Sequence, residues 1–382
     1  MISSTSYNKS KGYVLRVRSA WIARRNALLS SPRFQQFATR FWLTRPVARA
    51  RARELFDLVA GFVYTQTLAA CVETGLLDLL ARGVTDTGRV ADHCTLPPDG
   101  TLRLLRAAAA IGLVERVGEE WALGSAGAAL RGNAGIAEMI AHHPMLYADL
   151  ADPVALLRRG GGGGGALARY WTYAEHPGAG ADEAVRAYSA LMAASQPLVA
   201  AQILQSYRFS QHRRMLDIGG GEGGFVESVA AAVPTLEFAV FDLPAVADRA
   251  RARLDAAGFG ARSAIHAGNF LHDALPPGHD LITLVRVLHD HDDAPALVLL
   301  RAIHAALPPG GRLLIAEPMA QTPGAEPAGD AYFGLYLLAM GSGRPRTPAE
   351  IHAMLRMAGF TTSRTLHTAM PLTCRVLIAS RN

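Results

Sequence analysis

The sequence predicts an α/β protein in which a C-terminal domain, built on a parallel sheet with helices on both faces, follows a mainly α-helical domain. In the C-terminal half, short apolar runs such as RRMLDIG and GRLLIAEP alternate with alanine-rich helical stretches, which is typical of βαβ units. Between Glu54 and about Leu130 the apolar residues instead recur with helical periodicity. With 382 residues, the chain is long enough for two domains and an appendage.

The first 53 residues form a basic segment, called the leader below. The leader contains twelve Lys or Arg residues and no Asp or Glu, so the net charge of +6 divides into about +12 here and about −6 elsewhere. This asymmetry indicates an anionic surface as a partner for the leader alone.

Within the leader, the segment PRFQQFATRFWL predicts a helix with an aromatic stripe. Phe34, Phe37, Phe41 and Trp42 fall at i, i+3, i+7 and i+8, with the basic residues off the stripe. Two interpretations stay open. The helix packs on the body or on a second subunit, or it lies on anionic lipid, where aromatic and basic side chains both contribute to binding.

Residues 54–181 predict a winged-helix domain, with a hairpin formed by residues 113–117 and 121–123. A winged helix beside a basic leader could bind DNA. The expected recognition helix, residues 101–110, offers only two arginines, however, and we expect Arg106 to face inward. The pattern therefore favours a structural or dimerisation role, without nucleic acid as a partner.

Two observations bear on location in the cell. No uninterrupted apolar run of about 18 residues occurs, so we expect no transmembrane helix. The three cysteines, Cys71, Cys94 and Cys374, lie far apart in the chain and are expected to be reduced thiols. Both observations favour a cytoplasmic protein.

A run of six glycines, residues 160–165, is expected to be a flexible surface connection. It lacks the Lys and the Ser or Thr of a phosphate-binding loop. The third domain, residues 182–382, is expected to begin with a helix from about Asp182 to Ser206.

The elements after the fifth strand of the sheet are predicted from local signals. Residues 331–340 form an inserted apolar helix. Thr347 and Glu350 supply an N-cap and an N3 carboxylate around Pro348, so a helix begins there. After a turn near residues 370–371, the chain is expected to end in a closing pair of strands.

A glycine-rich stretch, LDIGGGEGG, joins the first strand of the sheet to a helix. Its glycines at positions 219, 221 and 224 satisfy the G-x-G-x-x-G pattern, which leaves a nicotinamide dinucleotide and S-adenosylmethionine both open. Asp217 and Glu222 add negative charge beside this loop. That charge would repel a diphosphate and favours the cationic S-adenosylmethionine.

Polar residues after the next strands complete this predicted site. Asp242 ends the second strand, where a carboxylate can accept hydrogen bonds from ribose hydroxyls. Asn269 can bond the adenine edge while Phe270 packs on its face. Leu243 and Arg286, which adjoin these motifs, are included in the predicted cofactor site.

The fourth strand ends in LVRVLHDHDD, which places His289 at the carboxyl edge of the sheet. This cluster is not predicted to bind metal, because five consecutive residues cannot easily aim all their ligands inward. Asp292 or Asp293 is instead well placed to cap the next helix.

Together, LDIGGGEGG, FDLP, AGNF, VLHDHDD, LPPGGRLLIAEP and GRPRT resemble the S-adenosylmethionine-dependent O-methyltransferase superfamily of the caffeic-acid type, over residues of about 54 to 382. The leader and the stretch LYLLAMGSGRPRTPAEIHAML more closely resemble bacterial carotenoid methyltransferases, of the demethylspheroidene and hydroxyneurosporene kind. The resemblance implies a Rossmann-like methyltransferase domain, a winged-helix dimerisation domain that forms a homodimer, and S-adenosylmethionine as the cofactor.

The resemblance also implies roles for individual residues. His289 falls at the general base and Glu317 at the glutamate that orients it. Gly219, Gly221 and Asp242, together with Asn269 and Phe270, fall at donor contacts.

Three positions depart from the plant pattern. His291 replaces an aromatic residue, Asn269 replaces an aspartate, and Pro345 replaces a second glutamate near the base. His289 therefore has one candidate carboxylate partner instead of two.

The implied acceptor is an acyclic carotenoid with a hydroxyl at position 1. Its pocket is expected to be apolar, with five candidate side chains: Met192, Ser195, Phe333, Tyr336 and Met340. His142 and His143, on a helix expected to end at Pro144, could form a wall of this pocket. Other acceptors, namely a bacteriochlorophyll precursor or a soluble phenol or polyketide, stay open, as does a transcriptional regulator with an inactive methyltransferase body. A polyene acceptor would place the protein peripherally on the photosynthetic inner membrane.

Overall fold

The structure of the protein, a computed structural model, describes residues 4–162, 164–171 and 195–382. Its N-terminal half is helical, with one small hairpin. The helices are α1 (Ser4–Leu29), α2 (Pro32–Arg40), α3 (Arg45–Glu73), α4 (Leu76–Leu80), α5 (Thr87–Cys94), α6 (Pro98–Ala110), α7 (Ser125–Arg131), α8 (Ala134–Asp149), α9 (Pro153–Arg158) and α10 (Ala166–Trp171). The hairpin strands are β1 (Val114–Val117) and β2 (Glu120–Leu123).

The C-terminal half is a seven-stranded sheet with helices on both faces. Helix α11 comprises residues 195–206 of the described chain. The strands are β3 (Arg214–Ile218), β4 (Glu237–Asp242), β5 (Ser263–Ala267), β6 (Leu281–Val285), β7 (Arg312–Glu317), β8 (Thr362–Leu366) and β9 (Arg375–Ser380). The remaining helices are α12 (Gly224–Ala232), α13 (Pro244–Ala256), α14 (Asp293–Ala306), α15 (Gly334–Met340) and α16 (Pro348–Met357).

The strand order is β5-β4-β3-β6-β7-β9-β8. Strands β3 to β7 are parallel, and β9 pairs antiparallel with both β7 and β8. The predicted α/β class and the closing pair of strands are therefore confirmed. The chain order reverses between β3 and β6, and in open α/β sheets ligands bind beyond the carboxyl ends of the strands at such a point.

Each face of the sheet carries its own buried cluster. On one face, Phe225 of α12 and Ile203 of α11 pack with strand residues such as Met215. On the other, Leu299 of α14 and Leu355 of α16 pack over a second set of strand residues. Burial on both faces explains why the strands read as nearly continuous apolar runs.

Local signals located several element boundaries correctly. The hairpin lies within one residue of the predicted segments. The capping box at α16 has the Thr347 hydroxyl accepting from the backbone N–H of Glu350, and the Glu350 carboxylate accepting from that of Thr347. Arg106 is an exception, because it is exposed on α6 instead of facing inward.

The aromatic stripe of the leader is shorter than predicted. Helix α2 ends at Arg40, and the backbone of Phe41 is extended, so Phe41 and Trp42 lie beyond the helix. The Thr44 hydroxyl donates 2.8 Å to the carbonyl of Ala38 near this end. Phe41 still stacks on Phe37, with 5.3 Å between ring centroids, and Trp42 is 70% exposed.

Helix α3 runs without a break from the leader into the helical domain. In the described part of the chain, it is the one helix that is long and apolar enough to cross a membrane by length and composition. Most of its surface is exposed, including Leu58 and Phe62. The core helix of a soluble protein passes the same test of length and composition.

The glycine run is not a free surface connection. The N–H of Gly162 donates 3.1 Å to the carbonyl of Leu338 in α15, and a Cβ added at Gly161 would overlap that carbonyl oxygen. Gly341, just after α15, packs against the Cα of Gly162. This part of the run lies flat on α15 because it has no side chains.

Candidate active site

The glycine loop between β3 and α12 forms an open cradle at the carboxyl edge of the sheet. Gly219, Gly221 and Gly223 have φ of 66°, 59° and 80°, values that L side chains rarely adopt. A Cβ at Gly219 would lie 2.7 Å from the side chain of Val287, whereas one at Gly221 would meet nothing within 4 Å. The backbone is thus exposed to a ligand at Gly221, beside the N-terminus of α12.

Two carboxyl groups lie beside this cradle. Asp217 is 1% exposed, and its Oδ1 accepts a 2.6 Å hydrogen bond from the Thr283 hydroxyl, while Oδ2 has no partner among the described residues. Asp242 accepts from the backbone N–H groups of Gly221 and Leu243, both at 2.7 Å. Burial raises the pKa of Asp217 to about 7 and that of Asp242 to about 6.

These groups fit S-adenosylmethionine better than a dinucleotide. Burial destabilises both carboxylates, and a cation beside them would offset that effect, whereas a diphosphate would add to it. Asp242 and the open face of Gly221 would hold the donor, and Asp217 would act from beneath the loop.

Asn269 and Phe270 follow β5 at the same edge. The Asn269 side-chain oxygen accepts from the N–H of Leu271 at 2.9 Å, which fixes the amide and leaves its NH₂ group able to donate to an adenine edge. The ring of Phe270 contacts that of His291 edge-on, with 5.2 Å between centroids.

Arg286, directly after β6, connects the predicted cofactor site with the predicted acceptor site. Its φ of 57° is unusual for a residue with a side chain, and its N–H donates to Ala316 at 2.8 Å. Its guanidinium donates 2.7 Å to the hydroxyl of Ser195 on α11. The structure thus brings a predicted cofactor residue and a predicted acceptor residue into contact.

His289 lies in the short turn Leu288–Asp290 and is 4% exposed. Its Nε2 is 3.3 Å from Oδ1 of Asp290, and its Nδ1 has no partner among the described residues. Burial, helped by Arg286, lowers the pKa of this imidazole to about 3. His289 is therefore neutral at physiological pH and able to accept a proton.

Glu317 contacts His289 differently from the expectation. Its Oε2 accepts from the backbone N–H of His289 at 3.1 Å, and its Oε1 has no partner in the described chain. Glu317 therefore holds the main chain of the turn and not the imidazole ring. Burial raises the pKa of Glu317 to about 7 and that of Asp290 well above its ordinary value.

The acidic end of the HDHDD cluster is structural. Asp292 occupies the N-cap position of α14 but makes no side-chain cap; its carboxylate accepts from the N–H of Gly343 at 3.0 Å. Asp293 pairs with Arg346 and Arg344. Among the described residues, no group of His, Cys, Asp and Glu side chains is arranged to hold a metal ion.

An aromatic wall lies next to His289. The ring of Phe333 is 5.7 Å from that of His289, and Tyr332 and Tyr336 stack behind it. Phe333 ends a π-helical segment, Pro327–Phe333, that leads into α15, and such segments are frequent at functional sites.

Helix α8 reaches this wall from the N-terminal half. It continues through Pro144, contrary to the expectation that it ends there. His142 is hydrogen-bonded to the Tyr336 hydroxyl at 2.9 Å, and His143 to that of Tyr332 at 3.0 Å. Sequence reasoning left the role of these histidines open, since neither tyrosine is near them in the chain.

The other acceptor candidates differ in position. Met340 is buried at the end of α15. Met192 lies outside the described residues, so its place is a prediction only.

Comparison with known proteins connects this geometry to a family. Residues 147–361 match the model of an O-methyltransferase domain, and residues 56–130 that of an O-methyltransferase dimerisation domain. Demethylspheroidene O-methyltransferase of Rhodobacter capsulatus is 42% identical over 92% of this chain and 88% of its own length. Its counterpart in Cereibacter sphaeroides is 40% identical over 93% of both chains.

A solved methyltransferase structure shares the fold of this chain. Mitomycin 7-O-methyltransferase superposes with a TM-score of 0.73 at 25% identity, covering 88% of this chain and 100% of its own. The predicted fold class and enzyme class are confirmed, and the dimerisation domain supports a homodimer. The chain belongs to the O-methyltransferase family whose methyl donor is S-adenosylmethionine.

Proposed function

We propose that the protein transfers a methyl group from S-adenosylmethionine to the 1-hydroxyl of an acyclic hydroxycarotenoid, in carotenoid biosynthesis. The observation that carries this proposal is the identity of 42% and 40%, over more than nine-tenths of the chain, to two demethylspheroidene O-methyltransferases. The aromatic wall beside His289 is consistent with an apolar acceptor.

The bound donor supplies an electrophilic methyl group. The protein aligns the acceptor oxygen with it and excludes water, and such alignment contributes about 7–11 kcal/mol to lowering a barrier. His289 takes the proton of the attacking hydroxyl at Nδ1, which has no other partner in the described chain. A tertiary alcohol is a weak acid, so the proton leaves as the oxygen–methyl bond forms. A positioned base contributes roughly 10²–10⁴-fold.

In this proposal the acceptor pocket is formed by Phe333, Tyr336 and Met340, with Ser195 of α11 at its side. Met192 lies outside the described residues and stays a candidate from the sequence alone. The ring of Phe333 lies next to the base, Tyr336 packs on Phe333, and Tyr336 is in turn hydrogen-bonded to His142 of α8. This surface suits the chain of a polyene better than a small polar phenol.

The leader places the enzyme on the anionic inner membrane, where an insoluble polyene is found. Trp21, Phe37 and Trp42 are exposed on a segment that carries only positive charges. Aromatic and basic side chains together are the groups that bind a peripheral protein to anionic lipid.

The acceptor is tested by incubating purified protein and labelled S-adenosylmethionine with three substrates in parallel: 1-hydroxyneurosporene in detergent, phenolic acids, and a bacteriochlorophyllide. We expect label in the carotenoid alone. Label only in the phenols or the chlorophyllide would overturn the carotenoid proposal while leaving the methyltransferase activity intact.

A further inference from the structure

The turn that carries His289 is held by its backbone. The Arg346 guanidinium donates to the carbonyl of Leu288 at 2.8 Å and to that of His291 at 2.7 Å, one residue before His289 and two after it. From the other side, the Glu317 carboxylate accepts from the N–H of His289. The turn is therefore fixed on both sides by side chains that do not touch the imidazole.

Arg346 is buried to a degree that is rare for an arginine. Its relative exposure is 0%, and a buried charge is strongly unfavourable unless it is paired and hydrogen-bonded. Here Nε and Nη2 donate to Oδ1 of Asp293 at 2.9 and 2.8 Å, and the remaining contacts go to the turn. The planar guanidinium reaches all three acceptors at once, which a lysine ammonium cannot do.

The imidazole itself is weakly held. Among the described residues, the polar contact of the ring is with Asp290, at 3.3 Å, and its Nδ1 has no partner. Position 345, where the resemblance to the plant enzymes would place a second glutamate, is a proline. The residue next to that proline is Arg346. The position of the ring therefore depends on the position of the main chain beneath it.

We propose that Arg346 is a positioning residue for methyl transfer, which fixes the Leu288–Asp290 turn and so aims His289 at the acceptor hydroxyl. This inference rests on the proposed role of His289 as the base. The hydrogen bonds of Arg346 go to Leu288, His291 and Asp293, so in this proposal it acts through the turn.

The first test is Arg346→Lys, which keeps the positive charge but loses the planar guanidinium with its several N–H donors. We expect kcat to fall about 10- to 100-fold, since a misplaced catalytic group costs that much, with the KM for the donor within about twofold of wild type. The matched control is Arg262→Lys. In the wild-type chain the guanidinium of Arg262, which lies just before β5, donates to four backbone carbonyls, among them those of Ala230 and Leu236. The control should keep its kcat within about twofold.

A second variant guards against misfolding. Asp293→Asn weakens the exposed anchor of Arg346 and leaves the buried guanidinium in place, and we expect kcat to fall about three- to tenfold. Folding of each variant is checked by thermal unfolding and by binding of S-adenosylhomocysteine. A folded Arg346→Lys with kcat within threefold of wild type would overturn the proposal.

A double-mutant cycle tests the positioning role of Arg346 separately from the proposed role of His289 as the base. If Arg346 acts through His289, Arg346→Lys should cost less than about threefold when His289 is already alanine. An equal loss in both backgrounds would overturn the positioning role alone. Near-normal turnover of His289→Ala would instead overturn the role of His289 as the base.

Discussion

At the scale of single residues, the site is defined by groups whose burial opposes charge. Asp217, Asp242 and Glu317 all have raised pKa values, and that of His289 is lowered. Burial is the largest cause in each case. The buried carboxylates lack a positive partner that would favour their charged form, and a cationic donor next to the two aspartates would supply one.

The affinity for S-adenosylmethionine should therefore depend on pH. Asp217 has a pKa of about 7 and Asp242 of about 6, so as pH falls through these values the carboxylates gain protons and attract the sulfonium less. With a pKa of 7, only about a tenth of Asp217 is ionised at pH 6, and we expect donor affinity to fall by up to about tenfold between pH 8 and pH 6.

Calorimetric titrations at several pH values check this, with S-adenosylhomocysteine as the control ligand. The product lacks the sulfonium charge and should show a shallower pH dependence. Asp217→Asn should flatten the dependence for the donor. Identical slopes for the two ligands would contradict the electrostatic argument.

At the scale of elements, α15 is supported from outside the sheet by α9 and α10 and by two further neighbours. One is α8, through the hydrogen bond between His142 and Tyr336 of α15 and that between His143 and Tyr332 of the π-helical segment before it. The other is the glycine run at residues 160–162. Because Phe333 leads into α15, a shift of this helix would move the wall next to His289. The helix that carries the proposed acceptor residues Tyr336 and Met340 is thus in contact with several elements of the N-terminal half of the chain.

Substituting Gly161 should affect the acceptor side of the reaction. Its φ is +91° and a Cβ there would overlap the Leu338 carbonyl, so Gly161→Ala should displace α15. We expect the KM for the acceptor to rise about three- to tenfold, with donor affinity unchanged. Gly164→Ala is the matched control, because Gly164 has a similar φ of +78° but open space around it. Steady-state kinetics with both substrates measure the difference; equal effects in the two variants would rule out the contact with α15 as the cause.

At the scale of the whole molecule, charge and exposed apolar surface are concentrated at the N-terminus. The leader is basic throughout, whereas the rest of the chain is acidic on balance. Exposed aromatics in α1 and α2 accompany that charge, and α3 continues the apolar exposure into the dimerisation domain. The dimerisation domain begins within α3, at residue 56, whereas the leader lies outside both matched domains.

Membrane binding by the leader is tested by co-sedimentation with vesicles of anionic and of neutral lipid. Removing residues 1–44 ends the deletion just before α3 and keeps both family domains. We expect the full chain to sediment with anionic vesicles, more weakly at high salt, and the shortened chain to stay in solution. Equal binding by both forms would refute the role of the leader. Turnover of an acceptor dissolved in detergent should be the same for both.

How far the sequence could predict this structure depends on the reach of each interaction. The strands, the glycine loop and the Thr347 capping box depend on neighbouring residues and were predicted. Arg346 was missed because its acceptors lie more than fifty residues away, and a backbone carbonyl leaves no mark in a sequence. The contacts of Glu317 with main chain instead of the ring were missed for the same reason.

Helix α3 has a mechanical consequence for the enzyme on a surface. Its 29 residues make a continuous rod of about 44 Å, with α2 packed near one end and α8 along its course. A continuous helix, unlike a flexible linker, fixes the relative orientation of the segments at its two ends. If the leader is held on a surface, α3 would therefore constrain the orientation of the domains that pack on it, and with it the direction in which the proposed acceptor site faces. Extraction of a polyene would then depend on orientation as well as proximity.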